Sequence, residues 1–298
     1  MSRTVLLAAA SIVFASILCT LPLAASYSGR DLILPVAGHS AGADGRLFDT
    51  AFWITNVSEQ ACDVTLSFYA SGETNRTPRV VSLRIAAGQT WFRDGMDPAL
   101  TGSAVMGAVR VQATQDVIAT ARAYSRLRDE TNARAVASSF TAIPTQFAIG
   151  NGESTLLQGI SPRDSRYKVY FVEVAGEPLT VTASLVDPEG RTVADKRLYV
   201  DAHMQLATDL HALFGDAAVP EHALLRLRGM NGDGRIVAAA AQISAESQDA
   251  TAYEMMLVTA PRNFMTAGEV AAYSLAALAV LVAAFWKRGK GLKPEVKD

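Results

Sequence analysis

Residues 53–73 lie over residues 170–190 without a gap, and the correspondence continues for about 110 residues, so this chain is one unit written twice. Trp53-Ile54-Thr55-Asn56-Val57 falls on Tyr170-Phe171-Val172-Glu173-Val174, and Val64 to Phe68 falls on Val181 to Leu185. A small slip places Val81 to Ile85 on Lys196 to Val200 and Asp94 on Asp209. Val109 to Val111 then match Leu225 to Leu227, and Val117 to Ser125 match Ile236 to Ser244. Each copy closes on an apolar strand ending in proline, Phe140 to Pro144 and Met256 to Pro261. A repeat of this length means duplication of a whole domain, because solenoid units are far shorter.

Each copy reads as β. Val64, Leu66, Phe68 and Val81, Leu83, Ile85 alternate apolar with polar at period two, the mark of strands with one buried face. Val181, Ala183, Leu185 and Leu198, Val200 repeat the pattern. Asn231-Gly232-Asp233-Gly234 reads as a tight hairpin, since Asn-Gly and Asp-Gly steps accept positive φ. Only Asp94 to Leu100 and Asp209 to Phe214 look helical, each opened by a capping Asp, with Pro98 against the first. About seven short strands per copy predict an all-β protein of two tandem immunoglobulin-like β-sandwich domains, over 27–148 and 149–262.

Leu32-Ile33-Leu34-Pro35-Val36-Ala37-Gly38-His39, the Gly-Ala-Asp-Gly turn, Phe52 to Val57 and Ala86-Ala87-Gly88-Gln89 together resemble a β-sandwich module repeated in exported bacterial proteins. The resemblance covers about residues 31–144 and, less closely, 154–261, where His203-Met204 replaces the Gly-Gln step. It implies a non-catalytic binding role at the surface or in the periplasm.

The ends of the chain predict where such a body is held. Met1 to Ser26 has one Arg, an apolar core and small residues near Ala24 and Ser26, the pattern of a secretory signal. Val270 to Trp286 is apolar and followed at once by Lys287, Arg288, Lys290 and Lys293. That order predicts a stalk and transmembrane helix over 263–286 and a basic cytoplasmic tail over 287–298. The span is short, 17 residues, or about 25 Å at the helical rise. With 27 basic and 29 acidic residues, the chain lacks the concentrated positive charge that nucleic acid requires. Of its two cysteines, Cys19 lies in the signal, so the mature chain keeps Cys62 alone. No intrachain disulfide is expected, and Cys62, beside Val64, Leu66 and Phe68, reads as a buried hydrophobe.

Three local patterns carry candidate chemistry. Gly38-His39-Ser40-Ala41-Gly42 fits the nucleophile elbow G-x-S-x-G, which would make Ser40 a hydrolase nucleophile. The turn sequence Ala43-Asp44-Gly45-Arg46 stands where that motif needs a helix. His203, Asp209 and His211 fall close enough to form a metal site if the fold brings them together. Arg122, Arg126, Arg128 and Arg134 read as a charged turn between the last two strands of the first copy, able to meet an acidic ligand. Asn56-Val57-Ser58 and Asn75-Arg76-Thr77 fit the glycosylation pattern, which matters only in a eukaryote. The alanine-rich, cysteine-poor body favours a bacterium.

The expectation is thus a membrane-anchored extracytoplasmic binding or scaffold protein. It needs no cofactor, is not an enzyme, and engages another envelope or exported protein. The alternatives are a serine hydrolase using Ser40 and an envelope metal-binding protein.

Overall fold

A computed structural model describes residues 28–42, 45–102, 105–127, 135–161 and 165–257, and the chain is all-β. The expected signal segment, membrane span and tail, with Cys19, Arg128 and Arg134, lie outside the described residues. Among the described residues no helix is long and apolar enough to cross a membrane.

The first half contains β1 (Gly29–Ala41), β2 (Arg46–Asn56), β3 (Cys62–Ala70), β4 (Arg79–Ile85), β5 (Thr90–Arg93), β6 (Val105–Leu127), β7 (Val136–Thr141) and β8 (Ile143–Pro144). Strand β6, 23 residues long, serves two layers. Its residues 105–113 run between β1 and β3, and residues 117–127 run between β2 and β7. The layers are therefore β4-β3-β6-β1-β8 and β5-β2-β6-β7, antiparallel throughout. Leu34, Ile54, Val64, Val109, Val111 and Ala119 are buried in the core between them. Cys62 belongs to that core, fully buried and unpaired.

The second half contains β9 (Ser154–Leu157), β10 (Ser165–Glu173), β11 (Leu179–Val186), β12 (Thr192–Val200), β13 (Gln205–Asp209), β14 (Leu224–Asn231), β15 (Ile236–Ser244), β16 (Ala250–Glu254) and β17 (Met256–Leu257). Its sheets are β12-β11-β14-β9-β17 and β13-β10-β15-β16. Each strand of the first half has a counterpart in the same place, with β14 and β15 standing where β6 is continuous. Registers agree as well. Asn56 pairs with Val117 and Glu173 with Ile236, and Leu66 pairs with Val111 and Ala183 with Leu227.

In an immunoglobulin order the strand before β10 would pair with β10, and β15 would pair with β14. Here β9 pairs with β14 and β15 pairs with β10, so β9 and β15 each stand in the layer opposite to the one an immunoglobulin order would give them.

Three local expectations are corrected. Asn231 to Gly234 forms no hairpin but carries the chain from one layer to the other. Gly232, at φ 112°, passes against the backbone of Pro178, where a Cβ would collide. The first helix is Pro98–Thr101, and its N-cap is Asp97, whose side chain accepts from Ala99 N at 2.9 Å; Asp94 is outside it. Pro98 begins that helix, since its missing N–H would be unpaired there in any case. The second helix, Leu210–Phe214, is capped by Asp209 as expected. Arg122 and Arg126 stand within β6 and not in a turn.

Candidate functional site

The two halves pack face to side, and the packing leaves a groove of about 330 Å³ between them. One wall comes from strands of the first half that run on past its core. On β2, β6 and β7 the inward face continues from Phe52, Ala121 and Phe140, through Thr50, Ala123 and Ser138, to Phe48, Ser125 and Val136. Ser40 of β1 lies beside Phe48. The opposite wall is the outer face of the β10–β15 sheet. Alternation on β10 turns Tyr167, Val169 and Phe171 into the second core and leaves Arg166, Lys168 and Tyr170 facing the groove. Their β15 neighbours are Ile243, Ala241 and Ala239.

The floor is apolar. Val36, Phe140, Ala239 and Ala241 form one buried cluster with Tyr170 and Ile243 against it, and the Phe140 and Tyr170 rings meet edge-on at 6.0 Å. Burial pushes the Tyr170 phenol up to about 12 despite the nearby Arg166 charge. Tyr124 rises to about 12 as well, through burial first and then Asp49 and Asp94. Both rings keep their protons at neutral pH.

Cations outnumber carboxylates at the groove, three against Asp49. Arg46, Arg166 and Lys168 contribute three cations, from both walls. Arg46 donates to Ser125 Oγ at 3.3 Å and Arg166 to Gln248 Oε1 at 3.0 Å, both neutral acceptors. Among the described residues none of the three forms an ion pair. The carboxylate of Asp49 is already engaged: it accepts from the backbone N–H of Thr50 and Met96, each at 2.8 Å, and stands 3.1 Å from His39 Nδ1.

Below the groove, polar contacts join the halves. Gln205 donates to Pro35 O at 3.2 Å. Arg110 binds Asp31 in a fork at 2.7 and 2.6 Å and donates to Val174 O of the second half at 3.0 Å. Thr74 donates to Asp201 at 2.5 Å, and Asn75 donates to His203 O at 2.9 Å.

The fold disperses most of the chemistry read from sequence. Ser40 sits in a strand that turns into the β1–β2 hairpin, and no helix follows it. His39 is adjacent on the strand and so points to the other face, toward Asp49. His203 occupies the turn after β12, stacked on Tyr69 at 5.0 Å, with Nδ1 3.9 Å from Glu173. Burial lowers its pKa most, with Glu173 opposing and Arg110 reinforcing. Asp209 spends its carboxylate on Ala212 N, and His211 lies in the helix it caps. Among the described residues no three His, Cys, Asp or Glu side chains converge as a metal site. The Arg122 guanidinium lies over the Tyr124 ring at 5.4 Å. Asn56 is wholly buried, so it is closed to a glycan, and the Asn75 amide is held by Ala70, Glu73 and His203.

Sequence reading missed the groove. Its signal was Ile236-Val237-Ala238-Ala239-Ala240-Ala241, an unbroken apolar run where a strand with one solvated face alternates. All six residues are buried, because the first half covers the outer face.

A scan against protein-family models finds no match, and neither does a search of curated proteins. Among solved structures, one titled "Crystal Structure of Thermotoga maritima 1070" is similar at a TM-score of 0.32 and 8% identity, over 40% of this chain and 97% of that one. A likeness at that level carries no argument.

Proposed function

We propose that this chain is a non-catalytic binding protein of a bacterial envelope. It is built of two duplicated sandwich domains related to the immunoglobulin type, exported by its N-terminal segment and tethered by its C-terminal one. The groove between the domains is the binding site. The carrying observation is the pairing of an apolar floor with cations that form no ion pair among the described residues, since small-molecule and tail-binding sites are mostly apolar with a few directing polar groups. The tether agrees with this reading by keeping the groove near components of the same envelope.

The test uses full-length protein with a photoreactive phenylalanine analogue at Phe48, in the groove, or at Tyr199, an exposed position on β12. Each is irradiated in an envelope extract from the source cell, and adducts are read by mass spectrometry. Adducts at Phe48 and not at Tyr199 support the groove. Adducts at Tyr199 alone, or at neither site, reject it.

A further inference from the structure

We infer that the groove takes a single-chain amphipathic anion, a fatty carboxylate, with its chain on the floor and its head among Arg46, Arg166 and Lys168. This rests on the reading of the groove as the binding site and adds the chemistry of the occupant.

Three features select that chemistry. The first is the wall on β15 and its neighbours. The outer face of an antiparallel sheet is ordinarily polar, yet here Ala207, Ala239, Ala241 and Ala250 face the first half. Alanines there leave space that larger side chains would fill, and the space is bordered by Val36, Phe140 and Ile243. The second feature is size. A volume of about 330 Å³ stands at the lower end for small-molecule sites, enough for one acyl chain and too little for a two-chain lipid.

The third is the charge. Three cations, Arg46 on β2 and Arg166 and Lys168 on β10, line the groove beside an apolar surface, and none forms an ion pair among the described residues. Cations so placed favour an anion, and two guanidiniums can each offer a carboxylate paired N–H donors. Asp49 does not compete, because two backbone amides and His39 already engage it. A neutral apolar ligand would leave the cations without a counter-charge among the described residues, and a small inorganic anion would leave the floor empty.

The test uses the full-length protein in nanodiscs with a dodecanoate carrying a diazirine near its last carbon. After irradiation, labelled peptides are mapped by mass spectrometry. Labels are expected on the peptides of β1, β7 and β15 that hold Val36, Phe140 and Ile243. Unlabelled dodecanoate should suppress them, whereas dodecanol at equal concentration should not. The triple variant Arg46→Gln, Arg166→Gln, Lys168→Gln should lower groove labelling by roughly tenfold, the effect of losing one charge-assisted contact.

Equal competition by dodecanol overturns the anionic head, and labelling confined to residues outside the groove overturns the site. The acid-against-alcohol comparison needs no variant and so stands even if the triple variant fails to fold. If Phe48 adducts form in extract while dodecanoate labels nothing in the groove, the occupant proposed here is wrong and the groove reading survives. If neither forms, both fall.

Discussion

Glu173→Gln removes a charge that the fold uses as a fastener. Glu173 is wholly buried at the end of β10, and its carboxylate accepts four backbone N–H groups. Oε1 accepts from Ala175 at 2.7 Å and Arg235 at 3.0 Å; Oε2 accepts from Gly176 at 2.8 Å and His203 at 2.9 Å. These donors belong to three separate inter-strand links, so one side chain fixes the β10–β11, β12–β13 and β14–β15 connections together. An amide keeps one oxygen for two donors and turns an NH₂ toward the other two. Hydrogen bonds to charged groups contribute about 1.5–3 kcal/mol each, so losing two costs about 4 kcal/mol after partial relaxation. At about 2–4 °C per kcal/mol for a body of this size, Tm should fall by about 8–16 °C. Asn56, at the matching place in the first half, works with opposite polarity. Its Nδ2 donates to the carbonyls of Gln60 at 2.6 Å, Ala86 at 3.1 Å and Ile85 at 3.2 Å. Asn56→Asp would set a carboxylate against three carbonyl oxygens, with a loss of similar size. Thermal melts by circular dichroism of the full-length variants in one detergent measure both. A Glu173→Gln melt within about 2 °C of the parent would refute the fastener argument, because two of four buried donors cannot lose their acceptor at so small a cost.

Acid should weaken the fold through His203, whose folded pKa is depressed by burial. The unfolded chain then binds the proton more readily, so the contribution is present above the ordinary value of about 6.5 and is lost as pH falls through it. His203→Asn, which tolerates the observed φ of 52°, should flatten the pH 5–7 part of the stability profile measured in urea, and an unchanged slope would assign it to other groups. Asp201, held below the usual carboxylate range chiefly by the Thr74 hydroxyl, adds a loss of the same sign at lower pH. Gly38→Ala should destabilise by about 2–4 kcal/mol, since φ is 149° and a Cβ would run into Val105 O and Met106 Cα; Ser40→Ala should shift stability by less than about 0.5 kcal/mol. If the glycine variant melts like the parent in denaturant, the close approach is relieved elsewhere. Arg110→Met should cost about 2 kcal/mol, discounted because Asp31 is partly exposed, and should speed limited proteolysis in the 145–153 link between the halves. Protection of that link unchanged from the parent would mean that Arg110 does not hold the halves together.

Strand register was legible because period-two alternation with one buried face leaves little freedom. Trp53 over Tyr170 and Val117 over Ile236 are the pairs that occupy the same places in both sheets, opposite Thr120 and Ala239 on one side and Asn56 and Glu173 on the other. The link between layers was not legible. Thr114-Gln115-Asp116 passes from one layer to the next inside β6, while Asn231 to Gly234 does the same as a loop. Glycine-rich steps announce positive φ without saying which strands they join. The cap was misplaced by three residues because Pro98 reads as a breaker, whereas at the first helical position it is compatible with the helix. Candidate site residues fared differently. Ser40 does line the groove, but the neighbouring His39 is turned away by strand geometry, which a motif match does not weigh.

The groove exists because the two copies share a register and differ in bulk. At the matching end of the second half, Tyr167 stands where the first has Thr50, and Gln242 stands where it has Ala123; both pairs are directly opposed across the ladder. Gln242 donates to Ser165 Oγ at 3.1 Å and to Ser161 O at 3.3 Å, and the Tyr167 ring lies 6.1 Å from that of Tyr253. Tyr253 in turn covers Gly159. Gln242 and Tyr253 thus line, and do not close, a second pocket of about 390 Å³ at that end, which Gln158, Ser161 and His222 also border. The first end has small side chains in those positions and strands that run on, with β2 at 11 residues against 9 for β10 and β1 at 13 against 4 for β9. An end opened this way would expose apolar surface to water if it stood alone. The outer face of β10 and β15 covers most of it, and the uncovered remainder is the groove. Thr50 and Ala123, smaller than Tyr167 and Gln242, and the longer strands set the apolar groove at the contact between the halves, whereas Gln158, Ser161, His222 and Gln242 make the pocket at the second end more polar.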